Sequence, residues 1–153
     1  VREPDDAVRT IEGQVAMLLR LSERTRRSAA RRQGELERSA YLVLGVLAVD
    51  GSTSVNAIAE ALRLDPSTVT RQVLAMEQAG LVTRTAHPDD GRVTVVEATD
   101  EGVDALRRTR DVRAALYGEI LDAWSDADRA DLARLLTRLN ADVDAWARTH
   151  LGR

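Results

Sequence analysis

Apolar residues recur at helical spacing along most of the chain. Val8, Ile11, Val15, Leu18 and Leu19 fall three and four positions apart, which lines them up on one side of a first helix. Pro4, Asp5 and Asp6 mark its start, because a proline and negative charge suit the first turn. This helix is expected to run to about residue 30. A second helix carries Tyr41, Leu44 and Leu47 with Val43 and Val46, and stops at Asp50-Gly51. Ser54 can cap a short third helix with Val55, Ile58, Ala59 and Leu62 on its inner face. Arg63 and Leu64 then turn the chain. Asp65 is the expected cap of a fourth helix, with Pro66 at its first position and Val69, Val73 and Met76 as its buried stripe. Gly80 stands where a helix-ending glycine belongs.

The period changes after Gly80. "LVTRTA" and "RVTVVEA" are β-branched and partly alternating, and "HPDDG" lies between them. Asp90-Gly91 is a hairpin signal, so a two-stranded hairpin is predicted over 82–98. Its register is open, since a slip of one residue exchanges its faces. Helical spacing then returns. Thr99 can cap a fifth helix with Val103, Leu106, Leu116 and Ile120 on its apolar side. "SDAD" at 125–128 has the form of a capping box, with Asp in place of Glu, and opens a last helix with Leu132, Leu135, Leu136, Leu139, Val143 and Trp146. The fold class is therefore mainly α with a small β-hairpin. Three regions are expected: 1–38 as an N-terminal dimerisation helix and an arginine-rich junction, 39–98 as a winged helix-turn-helix lobe, and 99–153 as the C-terminal dimerisation helices. The long amphipathic helices need a surface to cover their stripes, which a second copy of the chain can supply.

The composition excludes several function classes. Apolar residues make up 44% of the 153, enough for a core, but there is no Phe. No cysteine is present, so disulfides, thiolate metal sites and thiol redox sensing are excluded. Two histidines, His87 and His150, make an imidazole-rich metal site improbable within one chain, and no cofactor is expected. The longest apolar run, "YLVLGVLAV" at 41–49, is well below the roughly 20 residues that span a bilayer. "VREPDD" lacks the apolar stretch of a signal peptide. The expectation is a soluble, cytoplasmic protein with no membrane partner. No G-x-S-x-G, glycine-rich phosphate loop or H-E-x-x-H motif occurs, and the pairs Asp89-Asp90 and Asp126/Asp128 suit turns and caps, so an enzyme is not expected.

The stretch "DPSTVTR", residues 65–71, carries the candidate chemistry. Most helices place carboxylates in their first turns, whereas this one places hydroxyls and an arginine. Two short helices joined by a tight turn and followed by a hairpin make a winged helix-turn-helix, whose second helix presents its N-terminal part to the major groove. There Ser67, Thr68 and Thr70 can donate to phosphates or reach bases. Arg71 can pair with phosphate or fork onto guanine, and Gln72 can reach a base or lie at the edge. Ordinary helix capping by Asp65 and Ser67, with Thr68 and Thr70 merely exposed, is the plainer reading of the same residues.

Residues 39–102 resemble the core of the MarR family of bacterial transcriptional regulators. The resemblance lies in "AYLVLGVLA", "VNAIAEALRLDPSTVTRQVLAMEQAGLVTR" and "HPDDGRVTVVEATDEG". It implies a homodimer in which the first and last helices interlock above two winged lobes. It implies that Ser67, Thr68, Thr70 and Arg71 enter the major groove and that Arg92 enters the minor groove. Asp90 matches the aspartate that braces the wing through an arginine, for which Arg84 is a candidate. Family members often respond to small aromatic or phenolic effectors held between the dimer helices and the lobe. Tyr41, Leu18 and Leu116 are the candidate lining residues here, although each also fits an ordinary core. Trp124 and Trp146 are expected among the dimer helices. Two positions depart from the family pattern. Gly91 stands where arginine is frequent, and Arg63 stands where glycine is frequent. If Arg63 is left-handed, the arginine costs about 1 kcal/mol.

Charge opposes a simple electrostatic reading. Residues 55–98 hold four arginines against six carboxylates, a net −2, so the lobe is not a basic patch. Residues 20–38 hold seven arginines against three glutamates, a net +4, which fits either a solvated helix end or a region near phosphates. The expected function is a homodimeric repressor that binds double-stranded DNA at a pseudopalindrome and is released by a small effector. The alternative is a winged-helix module that binds another protein and not DNA.

Overall fold

The acidic start at Asp5 opens a 24-residue helix, α1, Asp6–Ala29. Asp5 Oδ1 accepts from the Val8 amide at 2.8 Å, satisfying one of the free donors of the first turn. The computed structural model describes residues 5–29 and 35–150, with the backbone alone for 24–29. Pro4 and the arginine side chains of 24–32 fall outside the described residues. Next come α2 (Arg38–Asp50), β1 (Thr53–Ser54), α3 (Val55–Leu62), α4 (Pro66–Gln78), β2 (Val82–Ala86), β3 (Thr94–Ala98), α5 (Asp100–Ile120) and α6 (Asp126–His150). The chain divides into two units, Val1–Arg110 and Asp111–Arg153, and the division falls inside α5.

The hairpin gains a third strand that the spacing does not announce. β1 is two residues long and pairs antiparallel with β3, giving the order β1-β3-β2. Thr53 and Ser54 carry no alternating run to mark them as a strand. They pair because α3 must start against the sheet. The hairpin register sets Val82 opposite Ala98, Arg84 opposite Val96 and Ala86 opposite Thr94. Side chains two apart share a face, so Val82, Arg84 and Val96 point the same way, toward the helices. Val82 and Val96 are buried there.

The core of the lobe unites Val43, Leu44 and Leu47 of α2, Ile58 and Ala59 of α3, Val69, Val73 and Met76 of α4, the two valines of the sheet and Leu106 of α5. Each fully buried aliphatic side chain contributes about 1.5–3 kcal/mol relative to exposure. The stripe of α4 is the one its spacing predicts. That of α5 is so only at Leu106: Val103 and Ile120 are exposed and Leu116 is half-buried, while Gly102, Ala105 and Thr109 complete the buried face with Leu106. A small-residue face lets α5 lie close to the lobe. Large apolar residues mark a helix face only where there is room for them.

Local chemistry explains where the elements stop. Ser54 Oγ accepts from the Ala57 amide at 3.1 Å and caps α3. Arg63 ends α3 in the left-handed region, at φ 55° and ψ 43°, with its amide donating to the Ala59 and Glu60 carbonyls. An L-residue pays roughly 1–2 kcal/mol for that conformation, and glycine gives back part of the gain through a freer unfolded chain, so Arg63→Gly is expected to raise stability by about 0.5–1 kcal/mol. Urea denaturation would read this as a higher midpoint at unchanged slope. A lower midpoint would show that the arginine's contacts outweigh its backbone strain.

α4 ends in a Schellman motif. Leu81 N donates to Met76 O and Gly80 N to Glu77 O, both at 2.9 Å, with Gly80 at φ 73°. Thr99 then ties this turn to the start of α5. Its Oγ1 donates to Gly80 O at 2.6 Å and accepts from Gly102 N at 3.0 Å, while its amide donates to Leu81 O at 3.1 Å. Gly102 completes the joint by letting the helix backbone come against Leu81. The Thr-x-x-Gly spacing is thus a docking device. Further along α5, the buried Thr109 hydroxyl accepts from the Leu36 amide at 3.2 Å, so the chain enters the lobe beside the point where it leaves.

Within the second unit, Ser125 caps α6: its Oγ accepts from the Asp128 amide at 3.1 Å and donates to the Asp128 carboxylate at 2.5 Å. Asp is one methylene too short to reach back to the cap backbone as Glu does, so the reciprocal bond of a capping box becomes a side-chain pair. Arg129 reaches back to the Trp124 carbonyl at 2.9 Å and covers the turn before the helix. Leu135, Leu136, Leu139, Val143 and Trp146 of α6 are exposed. In the first unit, Val8, Ile11, Val15, Leu18 and Leu19 of α1 are exposed in the same way.

Candidate nucleic-acid interface

The first turns of α4 are held open to solvent. Asp65 takes the cap position, but not by the route its residue type suggests. Its backbone carbonyl accepts from the Thr68 and Val69 amides, at 2.9 and 3.1 Å, and its side chain makes no cap hydrogen bond. The Thr68 donor that a capping carboxylate would take is already turned onto that carbonyl. Pro66 at the first position has no N–H to satisfy. Ser67, Thr70 and Arg71 are exposed and Thr68 is half-buried.

Thr70 Oγ1 donates to Pro66 O at 2.8 Å. Its proton is therefore spent inside the helix, and what it shows to solvent is lone pairs. Gln72 is half-buried, and its buried Oε1 has no hydrogen-bond partner among the described residues.

The wing is fastened through backbone groups. Asp90 Oδ1 accepts from the Arg92 amide at 3.0 Å, and Asp90 O accepts from Val93 N at 2.9 Å. Gly91 and Arg92 thus occupy the middle of a turn that Asp90 opens. Aspartate is favoured at that first position because its carboxylate can bond the amide two residues on. Neither Gly91 nor Arg92 has positive φ, so this is not the two-residue Asp-Gly turn that the dipeptide suggests. His87 N donates to Val93 O at 2.8 Å and extends the ladder past the ends of β2 and β3. Arg92 projects from this turn, exposed.

Arg84 does not brace Asp90. Its Nε and Nη2 both lie on Glu77 Oε2, at 2.8 and 2.7 Å. The register explains the correction. Arg84 sits opposite the buried Val96, on the face turned toward α4, whereas Asp90 stands at the far tip of the wing. Glu77 was not visible as a partner, because nothing in the spacing says which face of β2 meets the last turns of α4.

These groups meet at a cleft of about 210 Å³ between α3, α4 and the wing. Ser54 and Asn56 line one side, Thr70 another, and Arg84, Arg92 and Thr94 the sheet side. The structure thus brings Thr70, Arg84 and Arg92 together. Ser67, Thr68, Arg71 and Gln72 belong to the same helix but not to the cleft lining. The candidate effector residues do not line it either. Tyr41 packs on the lobe core, Leu18 is exposed on α1, and Leu116 lies half-buried on α5 within the second unit. Among the described residues no cluster of His, Asp or Glu could hold a metal ion, and no helix is long and apolar enough to cross a membrane.

Helix, tight turn, helix and a two-stranded wing on one small core define a winged helix-turn-helix protein. The MarR family model matches residues 36–94. The chain is 37% identical over 110 residues to YxaD of Bacillus subtilis, described as an uncharacterized HTH-type transcriptional regulator, a match covering 72% of this chain and 77% of that one. It is 30% identical over 102 residues to the HTH-type transcriptional repressor IacR of Pseudomonas putida, covering 67% of this chain and 61% of that one. The PcaV transcriptional regulator of Streptomyces coelicolor, solved in complex with its natural ligand, shares the fold with a TM-score of 0.67 at 24% identity, over 92% of this chain and 98% of that one. The chain belongs to the MarR family of transcriptional regulators.

Proposed function

We propose that the protein acts as a homodimer that binds a pseudopalindromic DNA operator and represses transcription, and that a small aromatic or phenolic effector releases it. The observation that carries this reading is the shared cleft, which a hydroxyl of α4 and an arginine of the wing both line. In this reading α4 lies in the major groove, with Arg71 forking onto guanine or pairing with phosphate. Ser67 and Thr68 meet the backbone. Thr70, its own proton held by Pro66, accepts from the amino group of adenine or cytosine. Gln72 stands half-buried at the edge of this surface, where it reaches a base or lies aside. Arg92 enters the minor groove beside the major-groove helix. Asp90 fixes the turn from which Arg92 projects.

The exposed apolar stripes of α1 and α6 support the dimer, since an amphipathic helix in water needs a partner surface. Two copies would set two recognition helices about one DNA turn apart. Release by an effector follows if it binds better to a dimer with another lobe spacing, which lowers operator affinity by population shift. PcaV supports a ligand-responsive reading through its bound ligand, and IacR supports repression as a transcriptional repressor. Sedimentation at micromolar concentration tests the assembly: a dimer is expected, and a stable monomer would remove this version of the mechanism.

Selection of genomic DNA fragments on the purified protein tests the function itself, with the Arg71→Ala/Arg92→Ala chain as control. A pseudopalindrome enriched by the wild type and not by the control is the expected result. A second reading, a winged-helix module that binds another protein, is favoured by one observation: the net −2 over residues 55–98. It predicts enrichment by neither chain although both fold.

A further inference from the structure

Arg84 is the cation of the cleft that already has an anion. Its register position beside Val96 turns it toward α4, and Glu77, in the last turns of that helix, takes its Nε and Nη2 on a single carboxylate oxygen. The two side chains are 30% and 35% exposed, so the pair lies at the surface rather than inside the core, with Arg84 in the cleft lining and Glu77 behind it on α4. Pairs this open to water add little to stability. A phosphodiester, like a carboxylate, shares one negative charge between two oxygens that accept charge-assisted hydrogen bonds from a guanidinium. Thr70 lies on the facing wall and Arg92 beside Arg84 on the sheet side, so a strand that ran past the cleft would come within reach of Arg84, whose anion is now Glu77.

We infer that Glu77 competes with DNA phosphate for Arg84, and so holds down sequence-independent binding and sharpens the preference for the operator. This rests on the DNA-binding reading and deepens it. The physical reason lies in counterion release. Each phosphate neutralised by the protein steepens the salt dependence and strengthens binding to any duplex, whatever its sequence. A cation paired internally gives no such gain, because the contact must first break an existing ion pair. The lobe can therefore present base-reading groups without an equal rise in affinity for random DNA.

The test is Glu77→Gln in the full chain. Glutamine keeps an acceptor for the Arg84 Nε–H and removes only the charge. Binding to a labelled random duplex and to the selected operator would be followed by fluorescence anisotropy over a series of salt concentrations. The expected result is several-fold tighter binding to the random duplex, a slope of log K against log salt steeper by about 0.9 per subunit, and a smaller operator-to-random ratio. Adding Arg84→Gln to that variant should return the slope to its wild-type value. An unchanged slope, weaker binding to both duplexes, or a Glu77→Gln chain that no longer folds would show that the pair only braces wing against helix, and would overturn the inference. A folded wild-type dimer that binds neither duplex would instead remove the DNA-binding reading and this inference with it, whereas the three results above leave that reading standing.

Discussion

Arg71→Ala/Arg92→Ala is expected to lower operator affinity by about 10³-fold or more while leaving random-duplex binding much less affected. The size follows from counting. A bidentate arginine on a base edge is worth about 1–3 kcal/mol of discrimination, and a minor-groove arginine that reads groove width is counted at about the same 1–3 kcal/mol as one mismatched base pair, so a dimer loses one of each at each half-site. Even the low end of that sum, about 4 kcal/mol, matches the smallest gap usual between specific and non-specific binding. Both side chains are exposed, so the fold should change by no more than about 0.5 kcal/mol. Anisotropy titration of the operator and a random duplex at one fixed salt concentration measures the ratio. If the double variant kept the ratio while folded, specificity would have to come from the hydroxyls and Gln72, and the place given to the two arginines would be wrong.

Gly102→Ala should cost the fold about 2–3 kcal/mol, lowering Tm by roughly 5–10 °C in a chain of this size. A Cβ at this position would lie 2.1 Å from Leu81 O, 3.0 Å from Leu81 C and 3.2 Å from Leu44 Cδ2. The first of these is backbone and cannot rotate away. The same carbonyl accepts the Thr99 amide, so α5 must lift and pull on a hydrogen bond worth about 1 kcal/mol. Alanine's better helix propensity, about 1 kcal/mol, offsets part of the loss. Gly118 is the control: nothing lies within 4 Å of its added Cβ in the same helix. There the substitution should be neutral or stabilising. Thermal melts of the two variants decide the point, and equal melting temperatures would mean that α5 does not depend on close approach at Leu81.

Much of the lobe was legible because its signals are local. The buried stripe of α4, the Ser54 cap and the turn at Gly80 each follow from residues within a few positions of one another. Three features were not, and each depends on what meets across space. β1 has no pattern of its own and exists only because β3 lies beside it. The face of β2 that carries Arg84 could not be known before the register was, and Glu77 stayed out of view with it. The inner face of α5 is built of Gly102, Ala105 and Thr109, which read as polar or featureless in a list of apolar positions. The wing shows a subtler case. Asp90-Gly91 did mark a hairpin, yet Asp90 acts through its carboxylate at the first position of a turn, and the dipeptide's usual geometry is absent. For the candidate interface, the residue types marked out the exposed face of α4 and the wing turn, but donor and acceptor roles did not follow from them. Only the hydrogen bond to Pro66 assigns the Thr70 proton.

The bond between the Leu36 amide and the Thr109 hydroxyl has a use in engineering. It joins positions 73 apart in sequence, and between them lies the whole winged lobe. A segment whose two ends meet can be excised and carried as an insert, because its host needs to offer only two neighbouring attachment points. The lobe bounded by Leu36 and Thr109 is therefore a transplantable cassette. Grafted between two adjacent helix ends of an unrelated scaffold, it would keep its core from α2 to the start of α5, and its mounting could be varied without redesigning the exposed face of α4 and the wing.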